Sequence, residues 1–189
     1  TNMSELLNPN SINDFMSTSM GTLNLVEIRR IFLMLIRHHY TTASHFTETG
    51  LECLQEYVWN EDPKLRRLEI ELDFMYKEKS VDHKPAIYVG LGDLQFEKSV
   101  VGDYAARSDD NSELHETQIG KFPLIIRHIG QSPDISSLMA SETLNALMGM
   151  RRALMSEHCR VLRMDPVQVT APQIFDPKND EELRSDTIF

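Results

Sequence analysis

No stretch of the chain constrains the fold more than residues 135 to 157. Ile135, Leu138, Met139, Leu144, Leu147, Met148, Met150 and Leu154 recur there at helical spacing, behind Pro133 and with Ser132 or Asp134 as the expected N-cap. At 1.5 Å per residue such a helix is about 35 Å long, which is long for a domain this small. Its apolar residues, among them Leu138, Met139, Ala146, Leu147, Met150, Ala153 and Leu154, spread over more than one face. The expectation is a helix that one sheet cannot cover, with a subunit interface supplying the remainder. Leu138, Met139, Leu147, Met150 and Leu154 are its candidate residues. Ordinary core packing is the simpler account of Met139, Met148, Met150, Met155 and Met164, because a thioether side chain adapts to irregular gaps.

Around that helix the chain reads as one α+β domain over residues 22–189, preceded by a polar arm over 1–21. Leu25, Ile28, Ile31, Phe32, Leu35 and Ile36 mark an N-terminal helix that the run Thr41-Thr42-Ala43-Ser44 ends. A second, short helix is expected over 51–59. In 68–76, Leu68, Ile70, Leu72 and Phe74 alternate with Glu69, Glu71, Asp73 and Met75, the period of a strand with one buried face. Further strands are expected over 86–89, 117–129, 160–164 and 167–175. Residues 102–116 read as a long exposed loop, and 177–182 as an acidic turn before Ile188-Phe189. The fold expected is an antiparallel or mixed sheet packed against the long helix.

Composition then narrows the chemistry. A net charge of −10 argues against a protein that grips nucleic acid, since that grip needs Lys and Arg against phosphates. An acidic wall would instead let DNA slide past, repelling phosphate over a Debye length of about 8 Å. The apolar runs at 31–36 and 122–126 are far shorter than a membrane span, and the N-terminal residues do not read as a secretory signal, so assembly in the cytoplasm is expected. Cys53 and Cys159 form neither a disulfide framework nor a metal knuckle.

Gly90-Leu91-Gly92-Asp93 lacks the third glycine and following helix of a nucleotide loop, and reads as a bend or a close approach in a strand. Of the seven histidines, His38 and His39 are adjacent and so diverge on a helix, and no His-Glu-x-x-His occurs. His115-Glu116 is the nearest local metal arrangement, and solvated loop residues account for it more simply. There is no Gly-x-Ser-x-Gly elbow, and Glu69, Glu71 and Asp73 read as the wet face of a strand. No catalytic, cofactor or metal-binding residue is assigned.

The order of segments resembles the tail-terminator or tail-completion family of tailed bacteriophages. The resemblance runs from the helix at 23–40 through Leu68-Glu69-Ile70-Glu71-Leu72-Asp73-Phe74 and Lys84-Pro85-Ala86-Ile87-Tyr88-Val89 to the strand at 122–129, the long helix and the final strands. It implies a structural virion protein of the neck, not an enzyme. Such a protein forms a homohexameric ring that caps the tail tube and joins it to the head-side connector, while genomic DNA passes through without specific binding. Partners implied are the protein itself, the tail tube protein, the head-closure proteins and the tail sheath. The loop at 102–116, with Asp103, Tyr104, Arg107, Asp109 and Asp110, would suit docking to neighbouring rings. Alternatives are a head-closure or connector-adaptor protein, a small metal-dependent hydrolase built on His115-Glu116, and a cytosolic interaction module.

Overall fold

The computed structural model describes residues 25–73, 85–96, 104–107, 114–117, 120–155, 163–176 and 179–189. The expected arm at 1–21 lies outside them. Helix α1 (Leu25–Tyr40) carries Arg37, His38 and His39 in its last turn, where the negative end of the helix dipole favours basic groups. The Thr41 hydroxyl donates to the His38 carbonyl at 2.6 Å and helps close that end. A 3-10 turn (Ala43–His45) leads into α2 (Glu48–Leu54), one turn earlier than the sequence suggests, because Thr47 caps it by accepting from the Gly50 amide.

Strands β1 (Glu69–Leu72), β2 (Ala86–Leu91), β3 (Gln95–Phe96), β4 (Tyr104–Arg107), β5 (Leu114–Thr117), β6 (Gly120–Lys121) and β7 (Leu124–Gly130) follow. Next come α3 (Pro133–Leu154), β8 (Gln168–Val169), β9 (Gln173–Asp176) and β10 (Asn179–Ile188). Helix α3 is the long helix expected. Its N-cap is Ser132, which accepts from the Ile135 amide, with Pro133 in the first turn, Asp134 beside it and Arg151 and Arg152 in the last turn.

The main sheet runs β1-β2-β7-β10-β8, with β9 also paired to β10. It is mixed: β1 and β2 are parallel, while β2–β7, β7–β10 and β10–β8 are antiparallel. The chain is therefore of the α+β class. Helix α1 packs over β1 and β2, and α3 over β7 and β10. Ile70, Leu72, Ile87, Val89, Leu91, Leu124 and Ile126 meet Phe32, Ile36, Met139 and Leu147 in one core. Strand β2 is buried along its whole length. Its second face, with Ala86 and Tyr88, joins Ile129 in a smaller cluster on the side away from the helices.

Three expectations need correcting. The long helix does not need a partner to hide Met139, Leu147 and Leu154, since all three lie in the chain's own core, and Leu138 and Met150 are half-buried against it. Two helices share the helical side of the sheet, so the apolar residues on the flank of α3 meet α1 and α2 as well as strands. Second, 102–116 is not loop throughout: Tyr104–Arg107 pairs antiparallel with Leu114–Thr117. Tyr104 and Arg107 thus sit on a strand, whereas Asp103, Asp109 and Asp110 lie outside the described residues. Third, the acidic turn is part of the ten-residue strand β10, which is central in the sheet. Asn179 pairs with Asp176 and Leu183 with Ile174 of β9, with an irregularity between them, and from Leu183 on the strand pairs with β7 as well.

Smaller departures follow local chemistry. The strand expected over 117–129 is split at Phe122-Pro123, where proline removes a donor, and Arg163 and Met164 are outside any strand. Gly90 and Gly92 mark close approaches, as the sequence suggests. A Cβ on Gly90 would stand 2.4 Å from Asp73 Oδ2. Asp73 reaches over β2 toward Arg127, at 3.6 Å, so it is not simply a wet carboxylate.

The outer edge of β1 is closed by side chains. Arg37 donates from Nε and Nη2 to the Ile70 carbonyl at 2.9 and 2.7 Å, and its Nη2 lies 2.9 Å from Glu71 Oε2. The Arg37 guanidinium sits 4.9 Å from the Trp59 ring centroid and that of Arg66 5.5 Å, with Arg66 also reaching Glu71. This occupies a carbonyl that another strand would need. At the other margin, β8 is two residues long and shows Val167 and Val169 to solvent.

Candidate functional site

The densest group of chemically capable side chains lies where α1, α2 and α3 meet. Two consecutive residues of α1, His39 and Tyr40, face two consecutive residues of α3, Glu142 and Thr143. Helical geometry turns successive residues about 100° apart, so the two pairs diverge: one toward α2, the other toward the sheet.

On the α2 side, Glu142 is buried and its carboxylate is the common acceptor. His39 Nε2 stands 2.8 Å from Oε1. The Thr47 amide donates to Oε1 at 3.0 Å and to Oε2 at 3.2 Å, and the Thr47 hydroxyl donates to Oε2 at 2.6 Å. An ionised carboxylate has only acceptors, so His39 must carry its proton on Nε2. Gly50 makes the approach possible, since a Cβ there would stand 2.6 Å from Glu142 Oε2. Burial lowers the His39 pKa, an effect opposed by its hydrogen bond to Glu142 and the charge of Glu142.

Two more imidazoles adjoin this joint. The His45 ring lies 5.1 Å from His38 and 6.3 Å from His39 between centroids. Its Nδ1 is 3.2 and 3.3 Å from the His38 and His39 carbonyls, which accept only, so Nδ1 is protonated. His38 Nδ1 is buried without a partner, and burial, then His45 and His39, lower the His38 pKa.

On the sheet side, the Tyr40 hydroxyl lies 3.1 Å from both the Met139 carbonyl and Thr143 Oγ1. Thr143 Oγ1 is 2.9 Å from His128 Nε2, and His128 Nδ1 donates to the Ser185 carbonyl at 3.1 Å. With Nδ1 as donor, Nε2 accepts the Thr143 proton. Burial pushes the His128 pKa down to about 4, against smaller raising effects from Ser185 and Asp186, and pushes the Tyr40 hydroxyl up.

These contacts define the chemistry open to the site. Thr143 and His128 have the separation of a nucleophile and its base, but both are wholly buried and the imidazole is too weak a base to take a proton near neutral pH. Around Glu142 the carboxylate stands between Thr47 and His39. No imidazole therefore activates the hydroxyl, the reverse of a catalytic triad. Among the described residues no group of three or more His, Cys, Asp or Glu side chains could hold a metal ion. The arrangement is a clasp that joins three helices and two strands through satisfied polar groups.

Sequence reasoning missed this clasp. His38 and His39 do diverge, but His45 folds back between them through the 3-10 turn, a proximity that no i, i+4 pattern announces. The interface candidates Met139 and Leu147 are wall residues of the same region, and Met139 contributes the carbonyl that faces Tyr40. His115 and Glu116 lie on β5. No protein-family profile, curated protein or solved structure matches the chain.

Proposed function

We propose that the chain is a structural subunit of a tailed-phage neck, a tail terminator whose ring caps the tail tube and passes DNA to it. The observation that carries this reading is the order of elements. An N-terminal helix, a β-rich middle, a long helix and closing strands form one mixed sheet with both long helices on one face, in the sequence order of the family resembled. The clasp supports it from another direction, because the most reactive side chains described are spent on holding helices together.

Met139, Leu147 and Leu154 are buried in the chain's own core and so are not free for self-association, whereas Leu138 and Met150 stay half-buried. Contacts between copies need exposed surface. Among the described residues Leu65 and Val167, 64% and 73% exposed, are the most exposed large apolar side chains, with Val26, Leu51, Met155 and Val169 less so. The net charge of −10 fits a lumen along which DNA moves without adhering.

Native mass spectrometry and electron microscopy of the purified protein, alone and mixed with its tail tube protein, test the reading. A six-fold ring that binds tube ends is expected. A monomer at high concentration that ignores the tube would end the proposal, and a twelve-fold ring would move it to a connector adaptor.

A further inference from the structure

The joint around Glu142 differs from an ordinary buried hydrogen bond in one respect: His39, which meets the carboxylate, has two further imidazoles gathered beside it, His38 and His45. His38 and His39 come from α1 and His45 from the 3-10 turn. The charged groups that His38 meets are His45 and His39, and those that His39 meets are Glu142 and His45. Arg37, next in the chain, is engaged with Glu71 and Ile70 at the sheet edge. Glu48, in the first turn of α2, is exposed. His128, from β7, connects only through Thr143 and Tyr40.

The segment that this joint secures has few other anchors. Phe46, Gly50 and Leu54 are its buried residues, whereas Thr47, Glu48, Thr49, Leu51, Glu52 and Cys53 are exposed. The rest of the core belongs to α1, α3, the sheet and connecting residues such as Trp59, Leu68 and Met164. Segment 43–54 contributes Phe46 and Leu54 to the core but takes no part in the pairing of the sheet, the arrangement of a unit that can unfold locally.

We propose that segment 43–54 is a proton-released latch, held on α3 while His38 and His39, which adjoin it, are neutral and freed when they take up protons. A proton on His38 or His39 sets a cation beside the other ring. Only His39 has the Glu142 carboxylate to answer it. His38 Nδ1, buried and without an acceptor, gains an N–H that nothing receives. Undocking returns His38 and His39 to water, so the open state binds protons more tightly and acid drives the opening. The lowered pKa values of His38 and His39 have the sign this requires. Docking is supported above the ordinary histidine range and weakens as pH falls below it.

Hydrogen exchange of the full chain, corrected for intrinsic rates, tests the latch between about pH 7.5 and 5.5. Peptides covering 43–54 are expected to lose protection by about tenfold or more while those of β2 and β7 keep theirs. The emission maximum of Trp59, the single tryptophan, should move to the red over the same range, since its amide donates to the Tyr40 carbonyl at 2.8 Å beside the hinge. The double substitution His38→Asn and His45→Asn, which gives up the His45 bonds to the α1 carbonyls, should lower neutral-pH protection of the segment and flatten its further loss in acid. Glu142→Gln, which puts an amide N–H where Thr47 donates, should leave the segment open already at neutral pH. Protection that persists in acid, loss of segment and sheet together, or an undiminished response in the double variant would each overturn the latch.

Discussion

The two halves of the clasp are built from neighbouring residues on the same two helices, yet they are opposite kinds of joint. His39 and Glu142 make an ionic one, with a carboxylate that collects donors from α1 and from the start of α2. Tyr40 and Thr143 make a neutral one, in which hydroxyls and an imidazole hand single protons from α1 through α3 to β7 and on to a β10 carbonyl. One residue's rotation around a helix decides which kind results. The neutral joint is the one placed under the sheet, where an unpaired charge would be most costly; the ionic joint lies where a capping threonine can reach it.

If that contrast is right, the ionic joint should be the more expensive to break. Glu142→Ala removes the acceptor shared by a buried imidazole and both Thr47 donors, and should cost about 3 kcal/mol, read as a shifted denaturant midpoint at unchanged slope. Close behind comes the acid response of the neutral joint. Burial pushes the His128 pKa down to about 4 from the ordinary histidine value of 6.5, so its contribution is complete above 6.5 and lost as pH falls toward 4. The loss should reach roughly 3 kcal/mol, from the 1.36 kcal/mol that one pKa unit represents. Stability measured against pH should lose that part of its slope in His128→Asn. A slope unchanged by the substitution would mean that His128 is not held neutral in the fold.

How much of this could be read beforehand follows from which signals are periodic. The two long helices, strand β2 and the alternation at β1 announce themselves because their burial is one-sided or complete over several residues. Strand β10 does not: Asp180, Glu181 and Glu182 read as a turn, and they belong to the strand because the residues on either side of them, Asn179 and Leu183, both pair with β9. Glu142 was illegible for a related reason. A lone glutamate in a helix is nearly always solvated, and its partners His39 and Thr47 come from about a hundred residues earlier. A faint signal existed in Ser136, Ala140 and Thr143, small residues at helical spacing on the buried face of α3, which let α1 and the sheet come close. The interface expectation failed on that face, since a stripe of apolar residues does not reveal whether its cover comes from the same chain.

Gly50 offers a sharper probe of the ionic joint, because alanine there leaves every hydrogen-bonding group in place. The added Cβ would stand 2.6 Å from Glu142 Oε2 and 3.1 Å from Phe46 Cβ, so the carboxylate must turn away from Thr47 or α2 must lift. A cost of about 2 kcal/mol is expected, with exchange protection lost in α2 before it is lost in the strands. An alanine variant as stable as the parent would show that the carboxylate moves freely, and that its three donors hold it less firmly than their distances imply.

The smallest effect should come from Tyr40→Phe. It removes one hydroxyl from the neutral joint and leaves the ring in its buried site, with His128 and Thr143 still paired. Both oxygens it faced keep other roles: Thr143 Oγ1 remains bonded to His128, and the Met139 carbonyl lies within α3. About 1 kcal/mol is therefore expected, the usual net worth of one neutral hydrogen bond. The comparison with Glu142→Ala is what gives the number meaning. Should Tyr40→Phe prove as costly as loss of the carboxylate, the two joints are not ionic and neutral versions of separate contacts. They would then be one coupled network in which α1 reads both through the same turn.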